Sequence, residues 1–186
     1  MFSLHAALTF GIAVAVGLVR ARSDKSSNDQ LRVTTETGTY VGIINGTTPH
    51  VRQFLNIPYA IPPVGERRWL PPAQVTSNSS TIFDATRYPR SCSQYISKIN
   101  FAGPEFLPQV LNAYGSQNTT AGLYAETTGE DCLSLAVWTP TGNVARLPVI
   151  LWMPGGGFVW GRIEVPMQIP SHWVERTQTH IVVSIK

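Results

Sequence analysis

Charge is scarce in this chain. Asp, Glu, Lys and Arg make up only 13% of its 186 residues, and the formal net charge is +3. The basic residues are scattered, with Arg67-Arg68 the one adjacent pair. No basic stripe interleaved with aromatics is present, which argues against nucleic-acid binding. His, Cys, Asp and Glu nowhere fall at metal-ligand spacing, so no metal site or cofactor is expected. No internal repeat is present, which excludes solenoids and propellers. Beyond residue 19 no apolar run is long enough to span a bilayer. What is abundant is apolar residue, at 43%, a composition that buries a core rather than staying disordered.

The apolar content is concentrated first at the start. Residues 6–19, "AALTFGIAVAVGLV", carry no charge and run into the polar stretch "RSDKSSNDQ". The run is short for a membrane span and has the length of a signal-peptide apolar region. His5 and the amino terminus are the only positive groups before it. The pattern predicts a signal peptide over residues 1–21, cut near Ala21, and a secreted protein. A buried N-terminal helix or a membrane anchor is the alternative. Residues 22–30 then form a polar lead-in.

The two cysteines, Cys92 and Cys132, agree with an oxidising compartment. An even pair there favours one disulfide, with two separate buried thiols as the alternative. Such a bridge closes a loop of about 40 residues, worth about 4 kcal/mol on the chain-entropy model. Three N-x-[ST] sequons, at Asn45, Asn78 and Asn118, sit in Gly/Ser/Thr/Asn-rich stretches where exposed loops and glycosylation are expected.

Along the chain, "LRVTTETGTYVGII" (residues 31–44) alternates as a hairpin or short meander ending at Asn45-Gly46. Residues 51–60 read as extended. "IPPVGERRWLPP" (61–72) holds four prolines and a glycine, which excludes a helix or central strand and predicts a long, well-packed surface connector. Residues 76–129 are mostly turn and loop chemistry, with one short helix expected near residues 106–113. "CLSLAVWTP" (132–140) alternates as a strand ended by Thr139-Pro140. "LPVILWM" (147–153) is a continuous apolar run, expected as a strand buried on both faces. "SHWVERT" (171–177) predicts a short helix with Ser171 as N-cap and an acidic residue a turn on. "HIVVSIK" (180–186) predicts a second buried strand. Strand, glycine loop, helix and strand together make a βαβ unit.

Three stretches carry a resemblance. "FLNIPYAIPPVGERRWLPP", "EDCLSLAVWTP" and "LPVILWMPGGGFVWG", in that order, resemble the N-terminal part of the type-B carboxylesterase/lipase family, which includes the cholinesterases. The resemblance covers residues 31–186. It implies an α/β fold: a partial α/β-hydrolase, with N-terminal antiparallel strands leading into the first strands of a mixed sheet, and an incomplete domain. Family members hydrolyse carboxylic esters with a Ser on a G-x-S-x-G elbow, an acid and a His, in that chain order. The resemblance further implies a Cys92–Cys132 disulfide. The loop it closes is either a mobile apolar flap over an acyl pocket or an ordinary packed surface loop. An ion pair between Arg68 and Glu130 is implied as well.

The same resemblance gives a reason for Gly155-Gly156-Gly157. Ordering three glycines is costly, because each loses more backbone freedom than any other residue. A backbone without Cβ atoms can approach a substrate and turn consecutive amides toward one oxygen. By motif position Gly156 and Gly157 are the oxyanion-hole donors, Gly155 permits the turn and Phe158 walls the pocket. The alternative is a tight strand-to-helix turn with no catalytic use. Pro154 stands where the family often has His or an aromatic residue; its missing N–H is not one assigned to the hole. Asn56 stands where Gly is common.

The nucleophile is missing from these 186 residues: no G-x-S-x-G occurs. The four histidines are His5, His50, His172 and His180. None lies after an elbow serine, as the family's base does. An oxyanion hole without a nucleophile binds charge but does not acylate. The expected function is therefore an N-terminal fragment of a secreted serine carboxylic ester hydrolase, inactive alone. Its substrate in the full-length enzyme would be a small-molecule or lipid ester. No nucleic acid partner and no membrane anchor after signal cleavage are expected. The alternatives are a non-catalytic, cholinesterase-like adhesion protein and a small secreted binding module.

Overall fold

The computed structural model describes residues 30–76, 78, 80–94, 128–142, 146–155, 161–165 and 168–186. The signal-peptide segment and the helix expected near residues 106–113 lie outside them.

The alternating N-terminal stretch folds as a meander: β1 (Arg32–Thr35), β2 (Gly38–Val41) and β3 (Ile43–Asn45). The chain then runs into β4 (Thr48–Pro58), the longest strand. β1 and β2 pair antiparallel, with Thr35 opposite Gly38 at the hairpin turn. Between β2 and β3, Gly42 sits where a Cβ would come within 2.6 Å of the Gln53 carbonyl oxygen and 2.8 Å of the Phe54 ring. Only glycine lets the meander turn this tightly onto β4.

Three short strands were not legible in the turn-rich region. β5 (Ile82–Asp84) pairs in parallel with β2, completing a three-stranded sheet. β6 (Ser91–Cys92) and β7 (Thr128–Gly129) pair with each other beside the disulfide. At two or three residues, such strands are shorter than any alternation a sequence can display.

The main sheet has the order β3-β4-β8-β10-β9, where β8 is Ser134–Pro140, β9 is Val149–Trp152 and β10 is Ile181–Ile185. β8 runs antiparallel to both β4 and β10, whereas β10 runs parallel to β9. A parallel neighbour needs a crossover, and α1 (Ser171–Thr177) supplies it. β8 buries alternate residues along its whole length, as a two-neighbour strand with one covered face does. Its inward residues Ala136 and Trp138 join Val51, Leu55, Ile163, Val174 and Val182 in the larger core cluster, with α1 over it. On the other side Tyr40, Phe54 and Ala85 form a smaller cluster, with Tyr40 stacked on Phe83 at 5.1 Å.

The structure corrects three expectations. β9 is not buried on both faces: Leu151 is 53% exposed, and Val149, Trp152 and Met153 are exposed too. Among the described residues β9 bonds only to β10, and α1 packs on β4 and β8 rather than over β9. An apolar run therefore lies at a sheet edge, a template for pairing with other chains. The proline connector forms no helix beyond one 3-10 turn (Gly65–Arg67), but it is not well packed, with Trp69 94% exposed. Its prolines keep it extended without drawing its aromatic inward. Ser171 is the first helical residue rather than the cap. Pro170 holds the cap position, with no side-chain cap bond.

Glu175, the acidic residue expected to serve the helix start, instead ties α1 to β4. It accepts from the His50 backbone N–H at 2.9 Å and meets His50 Nδ1 at 2.6 Å. Burial alone pushes the Glu175 carboxyl up; the His50 side-chain and backbone hydrogen bonds outweigh it and hold the group below its usual value of 4.5. A depressed carboxyl contributes stability that is present above its unfolded value and lost as pH falls through the folded one. An NMR titration is expected to place the Glu175 midpoint below 4.5. The His50→Ala variant should raise it partway, since the backbone N–H remains. At the other end, Gln178 closes the helix in the left-handed region at φ 53°, its Nε2 donating to the Val174 carbonyl.

Candidate active site

The glycine run leaves the sheet at the carboxyl end of β9, the end at which open α/β sheets place their sites. Gly155 and Gly161 are described; Gly156, Gly157 and Phe158 lie outside the described residues. The two flanking glycines meet. A Cβ on Gly161, which has φ 152°, would stand 2.9 Å from the Gly155 carbonyl oxygen. Gly161 therefore has both a backbone angle and a neighbour that exclude a side chain.

The chain beyond Gly161 is firmly held. Ile163 and Val165 are buried. Between them Glu164 accepts a 2.5 Å hydrogen bond from the Ser91 hydroxyl of β6. Lys186 Nζ lies 3.7 Å from Glu164 Oε2 and donates to the Arg90 carbonyl at 2.8 Å. Its side chain is 2% exposed, and burial pulls its ammonium below the usual lysine range while Glu164 pulls the other way. Arg162, 3.9 Å from Glu164, is likewise lowered by burial against the same carboxylate. Burial and Glu164 together raise the nearby Tyr88 phenol. These groups link the segment after the glycine loop to the segment before the disulfide and to the end of β10. Sequence reading missed them, since isolated charges in a chain with few charges carry no pattern.

Cys92 and Cys132 are joined by a disulfide. Arg68 and Glu130 meet at 2.5 Å, with side chains 60% and 35% exposed. The pair tethers the proline connector to the disulfide segment, but water screens it. A double-mutant cycle over Arg68→Ala and Glu130→Ala is expected to return a coupling below about 1 kcal/mol.

The remaining candidates lie elsewhere. Asn45 and Asn78 are exposed, each with its side-chain oxygen accepting from the hydroxyl of its own sequon, Thr47 at 3.1 Å and Ser80 at 2.6 Å. Asn118 lies outside the described residues. His50 faces Glu175, His172 is exposed on α1, and His180 is buried with Nδ1 near the Thr177 and Thr179 hydroxyls. An open cleft of about 490 Å³ beside the disulfide is lined by Asn56, Pro58, Arg90, Glu130 and Ser134. Among the described residues, neither Gly155 nor Gly161 lines it. Among the described residues no three His, Cys, Asp or Glu side chains are placed to hold a metal, and no helix is long and apolar enough to cross a membrane.

A parallel βαβ unit with a glycine loop at a strand end, beside an antiparallel meander, defines an α/β protein with its candidate site at the sheet's edge. The family model described as the carboxylesterase family matches residues 29–186. The chain is 36% identical over 183 residues to a chlorogenic acid esterase of Aspergillus niger, which covers 96% of this chain and 33% of that protein. It is 34% identical over 166 residues to secreted lipase 5 of Gibberella zeae, covering 84% and 30% respectively. It is 33% identical over 162 residues to an acetylcholinesterase of Bungarus fasciatus, covering 84% and 23%. The chain belongs to the carboxylesterase family, and its sheets are part of an α/β-hydrolase fold. It spans about a third or less of the length of these relatives.

Proposed function

We propose that this chain is the N-terminal part of a secreted serine carboxylic ester hydrolase and carries the oxyanion-hole loop of its active site. The observation that carries the reading is the glycine run at the end of β9, its flanks Gly155 and Gly161 in contact, in a chain of the carboxylesterase family. Residues 1–21 act as the secretion signal, and Asn45, Asn78 and Asn118 carry glycans outside the cell. The fungal relatives named as a secreted lipase and a chlorogenic acid esterase support an extracellular enzyme acting on esters.

In the reaction, a serine hydroxyl gives its proton to the histidine base and its oxygen adds to the ester carbonyl carbon as the carbonyl π electrons move onto oxygen. The amides of Gly156 and Gly157 donate to that oxygen. Donors held 2.7–3.1 Å away stabilise it, and losing one costs roughly 3 kcal/mol of barrier. The alcohol then leaves with a proton from the base, and water hydrolyses the acyl-enzyme. These 186 residues contain no G-x-S-x-G. They supply the charge-stabilising loop, while the serine, acid and histidine come from further chain.

The reading is tested with a short-chain nitrophenyl ester. The purified 186-residue chain is expected to release nitrophenol no faster than buffer. Appreciable turnover, abolished by an active-serine reagent, would overturn the assignment of the nucleophile to further chain.

A further inference from the structure

We propose that Gln94 is a positioning residue for the glycine loop: it holds the backbone of Gly161 as a neighbouring strand would and so links the loop's exit to the Cys92–Cys132 disulfide. The inference takes its catalytic meaning from the function proposed above, but its geometry stands apart from it.

A carboxamide offers an acceptor and a donor side by side, so one amide can bond both the N–H and the C=O of a single residue. Gln94 uses both on one residue. Its Oε1 accepts from the Gly161 N–H at 2.9 Å, and its Nε2 donates to the Gly161 carbonyl at 3.2 Å. The same Nε2 donates to the Cys92 carbonyl at 3.1 Å, which fixes the orientation of the amide. No other side chain of this reach supplies this set. Ionised Glu only accepts, and Asn is one methylene shorter.

The clamp acts at the point where the loop closes. Gly161 lies against the Gly155 carbonyl with no room for a Cβ, so a shift of Gly161 is passed to Gly155 and the start of the glycine run. On its other side Gln94 is separated from Cys92 by Ser93 alone. Cys92 is bonded to Cys132, which precedes β8 of the main sheet. The loop's entry is thus fixed by the β9–β10 ladder and its exit by Gln94 and the disulfide. With either exit element lost, Gly161 is held only through the buried segment that follows it, Ile163 to Val165.

Amide hydrogen exchange on the 186-residue chain tests this. The readout is the Gly161 protection factor, normalised to its intrinsic rate at each pH. Gln94→Ala is expected to lower it tenfold or more while the β8 and β10 amides keep theirs. Gln94→Glu should be less protected than wild type at pH 7, because its carboxylate can accept from the Gly161 N–H but faces the Gly161 and Cys92 carbonyl oxygens with no donor. It should regain protection as pH falls through the carboxyl range, because a protonated carboxyl donates to the Gly161 carbonyl and accepts from its N–H. A merely structural role predicts no such recovery. If Gln94→Ala fails to fold, the pH series on Gln94→Glu still decides, read against β8 amides in the same molecule. Unchanged Gly161 protection in Gln94→Ala, or flat protection across pH in Gln94→Glu, would overturn the proposal. Ester hydrolysis is not the readout, so failure of the proposed function and failure of the clamp are separately visible.

Discussion

Trp138→Ala is expected to lower the unfolding free energy by about 3–5 kcal/mol, the range for emptying a buried aromatic site. Trp138 is fully buried in the middle of β8, opposite Gln53 of β4 and Val182 of β10. Its ring packs among Val51, Leu55, Ala136, Ile163, Val174 and Val182, residues from four strands or loops and from α1. The sheet on either side is held by backbone ladders and cannot collapse into the space, so cavity and lost transfer energy add. Trp138→Phe keeps most of the ring and serves as the folded control. Urea denaturation followed by near-UV circular dichroism measures both, with the alanine variant showing the larger fall in midpoint. Equal midpoints would mean that the main sheet is not organised around this side chain.

Replacing Cys92 and Cys132 together by serine is expected to cost about 4 kcal/mol, from the entropy released to a denatured loop whose ends are 40 residues apart. Changing both cysteines avoids leaving a reactive thiol. The same loss is expected when the wild-type chain is reduced, and reduction of the double variant should change nothing. The bridge also anchors Gln94, so the variant is expected to share the Gly161 exchange phenotype of Gln94→Ala. A stability loss with Gly161 protection intact would separate the disulfide from the loop.

The strands were legible where side-chain alternation is long enough to be seen. Residues 134–140 alternate over seven positions because β8 has one face on the core, and the pattern matches the burial observed. The crossover was legible because β9, the glycines, α1 and β10 follow one another without a break in the hydrophobic pattern. The apolar run of β9 misled as to burial. Composition records what a strand is suited to pack against; Ile150 packs on the core cluster, while the described residues leave Val149, Leu151 and Trp152 exposed. The site was legible only at its glycines. Gln94 acts through a carboxamide on a single backbone unit, and Glu164 through Ser91, contacts that span 67 and 73 residues and follow no local period. Such residues are found by asking where the backbone N–H and C=O groups of the glycine loop go.

The reading frame beyond the codon for Lys186, sequenced from transcripts and genomic DNA, tests the central claim most directly. The account predicts a continuous frame encoding a G-x-S-x-G elbow, followed by an acidic residue and then a histidine. A frame that continues through the rest of the fold without the elbow serine would contradict it and make the protein a non-catalytic relative.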